Sequence, residues 1–216
     1  MKAVIFDMDG VIIDSEIHWN ELFGAFLKKH ISEWKNNSVL TGMGGREVHR
    51  YLENNHSYAL SLNDTLKAID IIADEIYSVR AQLFPDIRDV LTKLKGQYIL
   101  GLASASNLKH IENVLEKHDL KHFFTVYISG QKVNKSKPSP DVFLETARRL
   151  FVDPKNCLVI EDSDYGIMAA KAAGMKCIGF KNHGNSRQSL LQADAVINKL
   201  TDFKHEFIDT FLDRNN

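Results

Sequence analysis

Two aspartates, Asp7 and Asp9, stand directly after an apolar run near the start of the chain. The run, AVIF at residues 3–6, has no polar alternation, which is typical of a parallel strand that is covered on both faces. Gly10 then lets the backbone turn sharply beside the acids. Ligands of open parallel sheets bind outside the carboxyl ends of the strands, so this position predicts an active site. An ordinary turn of aspartate and glycine is the alternative that these residues alone leave open.

Further polar side chains follow the later strand-like runs. Ser104 ends YILGLAS, Ser106 follows it, Lys137 lies in the loop after TVYIS, and Glu161 and Asp162 end CLVIED. Each has a plain alternative, since serines cap helices, lysines occupy solvated loops and acids favour helix amino termini. Right-handed crossovers, however, bring the ends of parallel strands to one edge of a sheet. The joint placement therefore favours a common site.

These residue types together suit the transfer of a phosphoryl group. A phosphate monoester is a dianion, so attack by a carboxylate needs cations that neutralise the repulsion. Magnesium held by oxygens of Asp7, Asp9, Glu161 and Asp162 supplies one cation, and Lys137 supplies another. We therefore expect Mg²⁺ as the cofactor and a small phosphorylated metabolite as the substrate.

The same residues divide the chemistry between them. We expect Asp7 to be the nucleophile that forms an aspartyl-phosphate, which water then attacks. Asp9 would protonate the leaving oxygen and later activate the water. The Ser104 hydroxyl and backbone N–H groups of the turn at Ala105 and Ser106 would bind the phosphoryl oxygens.

Length and composition are those of a globular, enzyme-sized protein. The 216 residues include 27 basic and 28 acidic ones, a balance that argues against nucleic acid or a membrane surface as a partner. The first apolar run is too short for a signal peptide, and no run is long enough to span a bilayer. Cys157 and Cys177 adjoin apolar runs and suit buried thiols better than a disulfide. We expect a cytoplasmic protein that acts as a monomer.

The apolar spacing divides the chain into a helical insert and an α/β core. Residues 17–82 keep a helical period and show no convincing strand. From residue 83 strand-like and helix-like runs alternate, with a short helix predicted at residues 189–192 and a closing helix from Thr201. The prediction is a doubly wound parallel sheet formed by residues 1–16 and 83–216, with an all-helical cap at residues 17–82.

Four segments resemble the motifs of the haloacid dehalogenase superfamily of phosphotransferases. They are DMDGVIIDSE from Asp7, LASAS ending at Ser106, KPSPD from Lys137 and EDSDYG from Glu161. Their order and spacing are similar to those of the subgroup that contains sugar-phosphate phosphatases and β-phosphoglucomutase. The resemblance covers residues 1–16 and about 83–200, and the helical insert stands where that family has its mobile cap.

The resemblance implies roles for the acidic residues. Asp7 would be both nucleophile and metal ligand, and Asp9 would be the acid and base and a ligand through its backbone carbonyl. Asp162 would bind the metal directly, whereas Glu161 would lie beside it or act through a water molecule. A dehalogenase is a poorer match, because that branch lacks the second aspartate that is present here as Asp9.

The remaining implied contacts are with the substrate. Ser104 and Lys137 would bind its phosphate. Arg46 lies in LTGMGGRE, which resembles the substrate loop of the cap, and its guanidinium could grip a distal phosphate or sugar hydroxyls. His18, near the predicted hinge, is a further candidate, although a solvent-facing histidine is the commoner case. Asn107 follows the serine-bearing loop, at the position where the mutase branch has a lysine.

The leading prediction is therefore a magnesium-dependent phosphatase that acts on a sugar or polyol phosphate. A phosphomutase of the β-phosphoglucomutase type is the alternative. The mutase branch has a lysine where this chain has Asn107, but Ser106, Lys109 and Arg46 could partly replace that lysine. A noncatalytic binding protein on the same fold is disfavoured, since none of the charged motif positions holds an inert residue.

Overall fold

Six strands form one sheet in which all neighbouring strands are parallel, in the order β3-β2-β1-β4-β5-β6. The computed structural model describes residues 1–185 and 188–212. The strands are β1 (Ala3–Phe6), β2 (Ile99–Ser104), β3 (Val126–Ser129), β4 (Cys157–Glu161), β5 (Lys176–Phe180) and β6 (Ala195–Ile197). The strand order reverses between β1 and β4, and such a reversal opens a crevice at the carboxyl ends of the strands.

Eight α-helices accompany the sheet in the described part of the chain. They are α1 (Glu16–His30), α2 (Gly45–Asn55), α3 (Leu62–Glu75), α4 (Ile87–Lys95), α5 (Leu108–Lys117), α6 (Asp141–Leu150), α7 (Asp164–Ala172) and α8 (His205–Leu212). A π-helical turn, Ile76–Arg80, continues α3. Among the described residues, no helix is both long enough and apolar enough to cross a membrane.

Both faces of β1 are covered, as its unbroken apolar run predicts. Val4 and Phe6 pack into an apolar cluster with residues of α4, α5 and α8. Ala3 and Ile5 pack into a second cluster on the opposite face with residues of α6 and α7. The predicted doubly wound parallel sheet is confirmed.

A helical cap is inserted between β1 and β2. Residues 17–82, all of which the structure describes, contain no strand. The helices α1 to α3 enclose their own apolar cluster, which includes Phe23, Leu27, Leu52 and Tyr58. The all-helical cap is confirmed, whereas its division from the core at residues 17 and 82 stays a prediction, and the end of the predicted core at residue 216 lies outside the described residues.

The two chain segments that connect cap and core run side by side. Ile13 and Leu83 form an antiparallel bridge, the Asp14 N–H donates to Gln82 O at 2.9 Å, and the Phe84 N–H donates to Ile12 O at 3.0 Å. These bonds place the entry to the cap and the exit from it beside the turn that carries Asp9.

The prediction of a helix at residues 189–192 is wrong. The side chain of Asp164 accepts hydrogen bonds from the N–H groups of Ser189 and Leu190 and from the Ser189 hydroxyl. This side chain therefore takes the place of helical backbone partners, and Leu190 has a positive φ of 52°. The closing helix begins at His205, after a 3₁₀ turn at Leu200–Asp202, and not at Thr201.

Candidate active site

Lys137 links the carboxyl ends of β1 and β4. Its Nζ lies 2.5 Å from Oδ1 of Asp7 and 2.6 Å from Oε1 of Glu161, and its side chain is 1% exposed. Burial alone would lower the pKa of Lys137, but the charges of Asp7 and Glu161 outweigh it and raise the pKa above its ordinary value. The amine therefore remains a cation in the interior.

Asp7, Glu161 and Asp162 form a buried carboxylate cluster, in which one oxygen of each lies within 4.8 Å of the others. Burial raises the pKa of both Asp7 and Asp162 above the usual range, and the neighbouring carboxylates add to the effect, whereas the Lys137 ammonium opposes it at Asp7. Lys137, the one buried lysine among the described residues, contacts two of these three acids, so the ionised cluster needs a further cation.

The donor set fits a divalent metal ion. It consists of hard carboxylate oxygens, which suit a hard cation. The turn after β1 also keeps the space beside Asp162 open, because a Cβ atom at Gly10 would overlap the Asp162 carboxylate. Asp7 and Asp162 would hold the ion.

The structure holds the carboxylates of Glu161, at the end of β4, and of Asp162, directly after it, in different ways. Glu161 accepts from Lys137 on Oε1 and from the Ser163 N–H and hydroxyl on Oε2, at 2.8 and 2.9 Å. Asp162 accepts on Oδ2 from the amides of Asn182 at 3.0 Å and Asn185 at 3.3 Å. Both oxygens of Glu161 are thus engaged by protein donors, whereas Asp162 is engaged on one.

The two asparagines were missed in the sequence, although a signal for them was present. They lie in the loop that follows β5, and the carboxyl end of this strand lies at the same edge as those of β1 and β4. The rule that picked out Asp7 and Glu161 therefore applies to Asn182 and Asn185 as well.

Asp9 lies on the cap side of the turn and accepts hydrogen bonds from several hydroxyls. Its Oδ1 accepts from Ser15 at 2.7 Å and from Tyr77 at 2.8 Å. Its Oδ2 accepts from Ser106 at 2.9 Å and from Ser104 at 3.3 Å. The sequence did not single out Tyr77, which lies 68 positions from Asp9 within a helical period.

The turn after β2 leads into α5 and faces the same space. The Ser106 N–H donates to Ser104 Oγ at 3.0 Å, and the Asn107 side chain caps α5 by accepting from the Lys109 N–H at 3.3 Å. Ala105, Ser106 and Asn107 all line the cavity above Asp7. The predicted phosphate-binding turn is therefore adjacent to the carboxylate cluster.

A cavity of about 420 Å³ lies between the cap and this edge of the sheet. Asp7, Asp9, Lys137 and Asp162 lie on the core side. The cap contributes a mainly apolar wall with some polar groups, formed by Trp19, Asn20, Phe23, Asn37, Leu40, Thr41, Gly42, Met43, Gly45, Val48, Asn63, Leu66, Lys67, Ile69, Asp70 and Ala73.

Two of the predicted substrate contacts do not line this cavity. Arg46 is exposed on α2. His18 is half-buried on α1, and its Nδ1 has no hydrogen-bond partner among the described residues. Contact of Arg46 or His18 with a substrate stays a prediction.

Comparisons find related phosphatases and a phosphomutase. The chain is 32% identical over 213 residues to a bifunctional riboflavin kinase/FMN phosphatase of Arabidopsis thaliana, a match that covers 95% of this chain but 55%, about half, of that protein's length. It is 34% identical over 181 residues to hexitol phosphatase B of Escherichia coli strain K12, covering 82% of each. It is similar, with a TM-score of 0.75 and 30% identity, to the crystal structure of a β-phosphoglucomutase from Clostridium difficile, covering 99% of this chain and 98% of that one.

A family match covers most of the chain. Residues 4–180 match the model of the haloacid dehalogenase-like hydrolases. The match begins within β1 and ends with β5, so it includes the cap, Lys137 and the three clustered carboxylates. The chain therefore belongs to the haloacid dehalogenase-like hydrolase family and is an enzyme of its phosphohydrolase and phosphomutase branch.

Proposed function

We propose that this protein is a magnesium-dependent phosphatase that hydrolyses a small phosphorylated sugar or polyol through an aspartyl-phosphate on Asp7. The observation that carries the proposal is the buried contact of Lys137 with Asp7 and Glu161, beside Asp162 and at the base of the cavity. The name of hexitol phosphatase B, a relative that is 34% identical to this chain, describes a phosphatase that acts on a polyol phosphate, and this similarity supports the proposal.

In the first step a carboxylate oxygen of Asp7 attacks the phosphorus atom, and the bond from phosphorus to the ester oxygen breaks. Asp9, which shares the cavity with Asp7, gives its proton to the departing alcohol oxygen. The Lys137 ammonium offsets the negative charge that collects around Asp7. Ser104 and the turn at Ala105 would bind the phosphoryl oxygens.

In the second step a water oxygen attacks the phosphorus, and the bond to Asp7 breaks. Asp9 accepts the proton of the water and so regains the state in which it began. Inorganic phosphate leaves, and the Asp7 carboxylate is restored.

We propose Mg²⁺ as the bound metal, because each donor in the cluster is an oxygen. When bound, the ion would neutralise charge on the phosphoryl oxygens. Asp7, Asp162 and, as the family resemblance implies, the backbone carbonyl of Asp9 would hold it. Since Lys137 and Ser163 engage both oxygens of Glu161, we propose that Glu161 acts through a water molecule.

The charges that line the cavity favour a phosphatase over a phosphomutase. A mutase has to bind a second phosphate while the intermediate turns over, and this requires a cation on the cap side. Among the described residues that line the cavity, Lys67 is the one lysine or arginine on the cap side, and its exposed ammonium group stays hydrated and so neutralises a second phosphate only weakly. Asn107, where the mutase branch has a lysine, is neutral.

A phosphate-release screen tests the proposal, over sugar, polyol and nucleotide monophosphates, with magnesium and with a chelator. We expect hydrolysis of at least one sugar or polyol phosphate, which the chelator abolishes. Asp7→Asn should fold and yet release no phosphate, whereas Asp89→Asn, at an exposed position of α4, should match the wild type. Turnover of β-glucose 1-phosphate only with a bisphosphate primer, without net release of phosphate, would support the mutase instead.

A further inference from the structure

The Tyr77 hydroxyl lies at the junction of the cap, the acid/base aspartate and the phosphate-binding turn. It donates to Asp9 Oδ1 at 2.8 Å and lies 2.8 Å from Ser106 Oγ. Tyr77 is 1% exposed and belongs to the π-helical turn Ile76–Arg80, where the Ala81 N–H donates to Ile76 O. Such turns within helices occur frequently at functional sites.

The Tyr77 ring is held from two sides. It packs edge-on against Trp19 of α1, with ring centroids 6.2 Å apart, and in a tilted arrangement against His110 of α5, with ring centroids 5.3 Å apart. The backbone carbonyl of Tyr77 also accepts from Lys117 Nζ at 3.1 Å. The position of the hydroxyl is therefore set by both the cap and the core.

Tyr77 completes a closed set of contacts around the Asp9 carboxylate. Tyr77 donates to Oδ1, Ser106 donates to Oδ2 at 2.9 Å, and the two hydroxyls also contact each other. Donors on both oxygens restrain rotation about the terminal bond of the aspartate side chain, which is otherwise broad. Ser15 adds a second donor on Oδ1.

The phenol is suited to donate and not to exchange protons. Burial raises the pKa of Tyr77 well above its ordinary value, and the charge of Asp9 adds to the effect. Tyr77 therefore keeps its proton at neutral pH, and its hydroxyl donates to Asp9 Oδ1.

We propose that Tyr77 is a positioning residue that aims the Asp9 carboxylate at the leaving oxygen of the ester. The inference rests on the proposed function, in which Asp9 protonates that oxygen. Tyr77 acts through Asp9 and not on the phosphoryl group. Removal of the Tyr77 hydroxyl should therefore slow the reaction more for an ester whose leaving group needs a proton than for one whose leaving group does not.

The test is Tyr77→Phe, which keeps the ring and removes the hydroxyl alone. Tyr58→Phe is the matched control, because Tyr58 is also buried and its hydroxyl contacts Thr65, at 3.0 Å within the cap. The rate of alcohol release in a single turnover is measured for a hexitol phosphate, whose alkoxide needs a proton, and for para-nitrophenyl phosphate, whose phenolate leaves without one.

We expect Tyr77→Phe to slow alcohol release from the hexitol phosphate by about 10- to 100-fold, since a misplaced acid loses part of its contribution. The loss on para-nitrophenyl phosphate should be below about 3-fold, because general-acid help is small there. Tyr58→Phe should leave both rates within about 2-fold of the wild type, since it lies outside the site.

The outcomes separate the inference from the function on which it rests. Equal losses on both esters, or no loss on either, would overturn the positioning role. A wild-type protein that hydrolyses neither ester would overturn the proposed function and the inference with it. If Tyr77→Phe does not fold, Tyr77→Met, which fills the same apolar space, is compared with Tyr58→Met for the same difference between the esters.

Discussion

At the scale of single residues, Lys137 determines the charge balance of the site. It is fully buried and touches two carboxylates at 2.5 and 2.6 Å. Removing one partner from a buried ionic group leaves uncompensated charge, which costs far more than the loss of a surface pair. The same residue therefore serves both stability and the proposed chemistry.

We expect Lys137→Met to lower the free energy of unfolding by about 3–5 kcal/mol, because Asp7 and Glu161 would lose their shared cation. Phosphate release should fall to background. Urea unfolding and the phosphate assay measure the two effects. Lys135→Met is the control, since Lys135 is exposed in the same loop and should change neither quantity. A Lys137→Met protein as stable and active as the wild type would contradict the role assigned to the lysine.

At the scale of the elements, the turn after β1 depends on Gly10. Its φ is +75°, and a Cβ atom there would overlap the Asp162 carboxylate. Side chains other than glycine rarely adopt this conformation. The turn thus carries Asp9 and, through the missing side chain of Gly10, leaves room for the carboxylate of the proposed metal ligand Asp162.

We expect Gly10→Ala to lower the free energy of unfolding by about 1–3 kcal/mol, through backbone strain and displacement of Asp162. The magnesium concentration that gives half-maximal activity should rise. Gly96→Ala is the matched control, because no atom lies within 4 Å of a Cβ at that position, and its stability should be equal or slightly higher. Unchanged stability and magnesium dependence in Gly10→Ala would refute the assignment.

The sequence predicted the elements whose signals are local. The apolar runs predicted the strands, and the helical period predicted the cap. The helix α4 was not indicated, although Ile87, Val90, Leu91 and Leu94 follow its period. The predicted helix at residues 189–192 failed because a side chain distant in sequence, Asp164, takes up its backbone donors.

Most of the site could be predicted from one rule, which is that polar residues at the carboxyl ends of parallel strands meet at one edge of the sheet. This rule located Asp7, Ser104, Lys137 and Glu161, which the structure brings together. The rule could not predict Tyr77, because this residue lies in the cap, 68 positions after Asp9, and its contact with Asp9 depends on how the cap packs on the core. Arg46 was chosen for its chemistry and its loop, and its exposure on α2 depends on the packing of the cap.

At the scale of the whole molecule, the cap and the core together enclose the cavity. The cap rests on α5 through polar contacts, with Asp74 accepting from Lys109 at 2.9 Å and lying 3.1 Å from His110 Nε2. The carboxylate cluster lies on the core side of this enclosure. A metal ion bound there stabilises the folded molecule, because the unfolded chain does not assemble the cluster.

We expect saturating Mg²⁺, at about 100 times its Kd, to add about 2.7 kcal/mol and to raise the Tm by roughly 5–10 °C. Asp162→Asn should lose most of this shift, whereas Asp202→Asn, at an exposed position, should keep it. Thermal unfolding with magnesium and with chelator measures the effect. The same magnesium shift in Asp162→Asn as in the wild type would exclude this aspartate as a ligand.

The most direct measurement asks where the phosphoryl group is held during turnover. The protein is mixed with a phosphate ester that it hydrolyses, and the reaction is quenched with acid during turnover. Borohydride then reduces any acyl phosphate on the protein, and mass spectrometry locates the reduced residue. Modification at Asp7, absent in Asp7→Asn, is the predicted result. Continued release of phosphate by the wild-type protein with Asp7 unmodified, or with another residue carrying the group, would contradict phosphoryl transfer to Asp7.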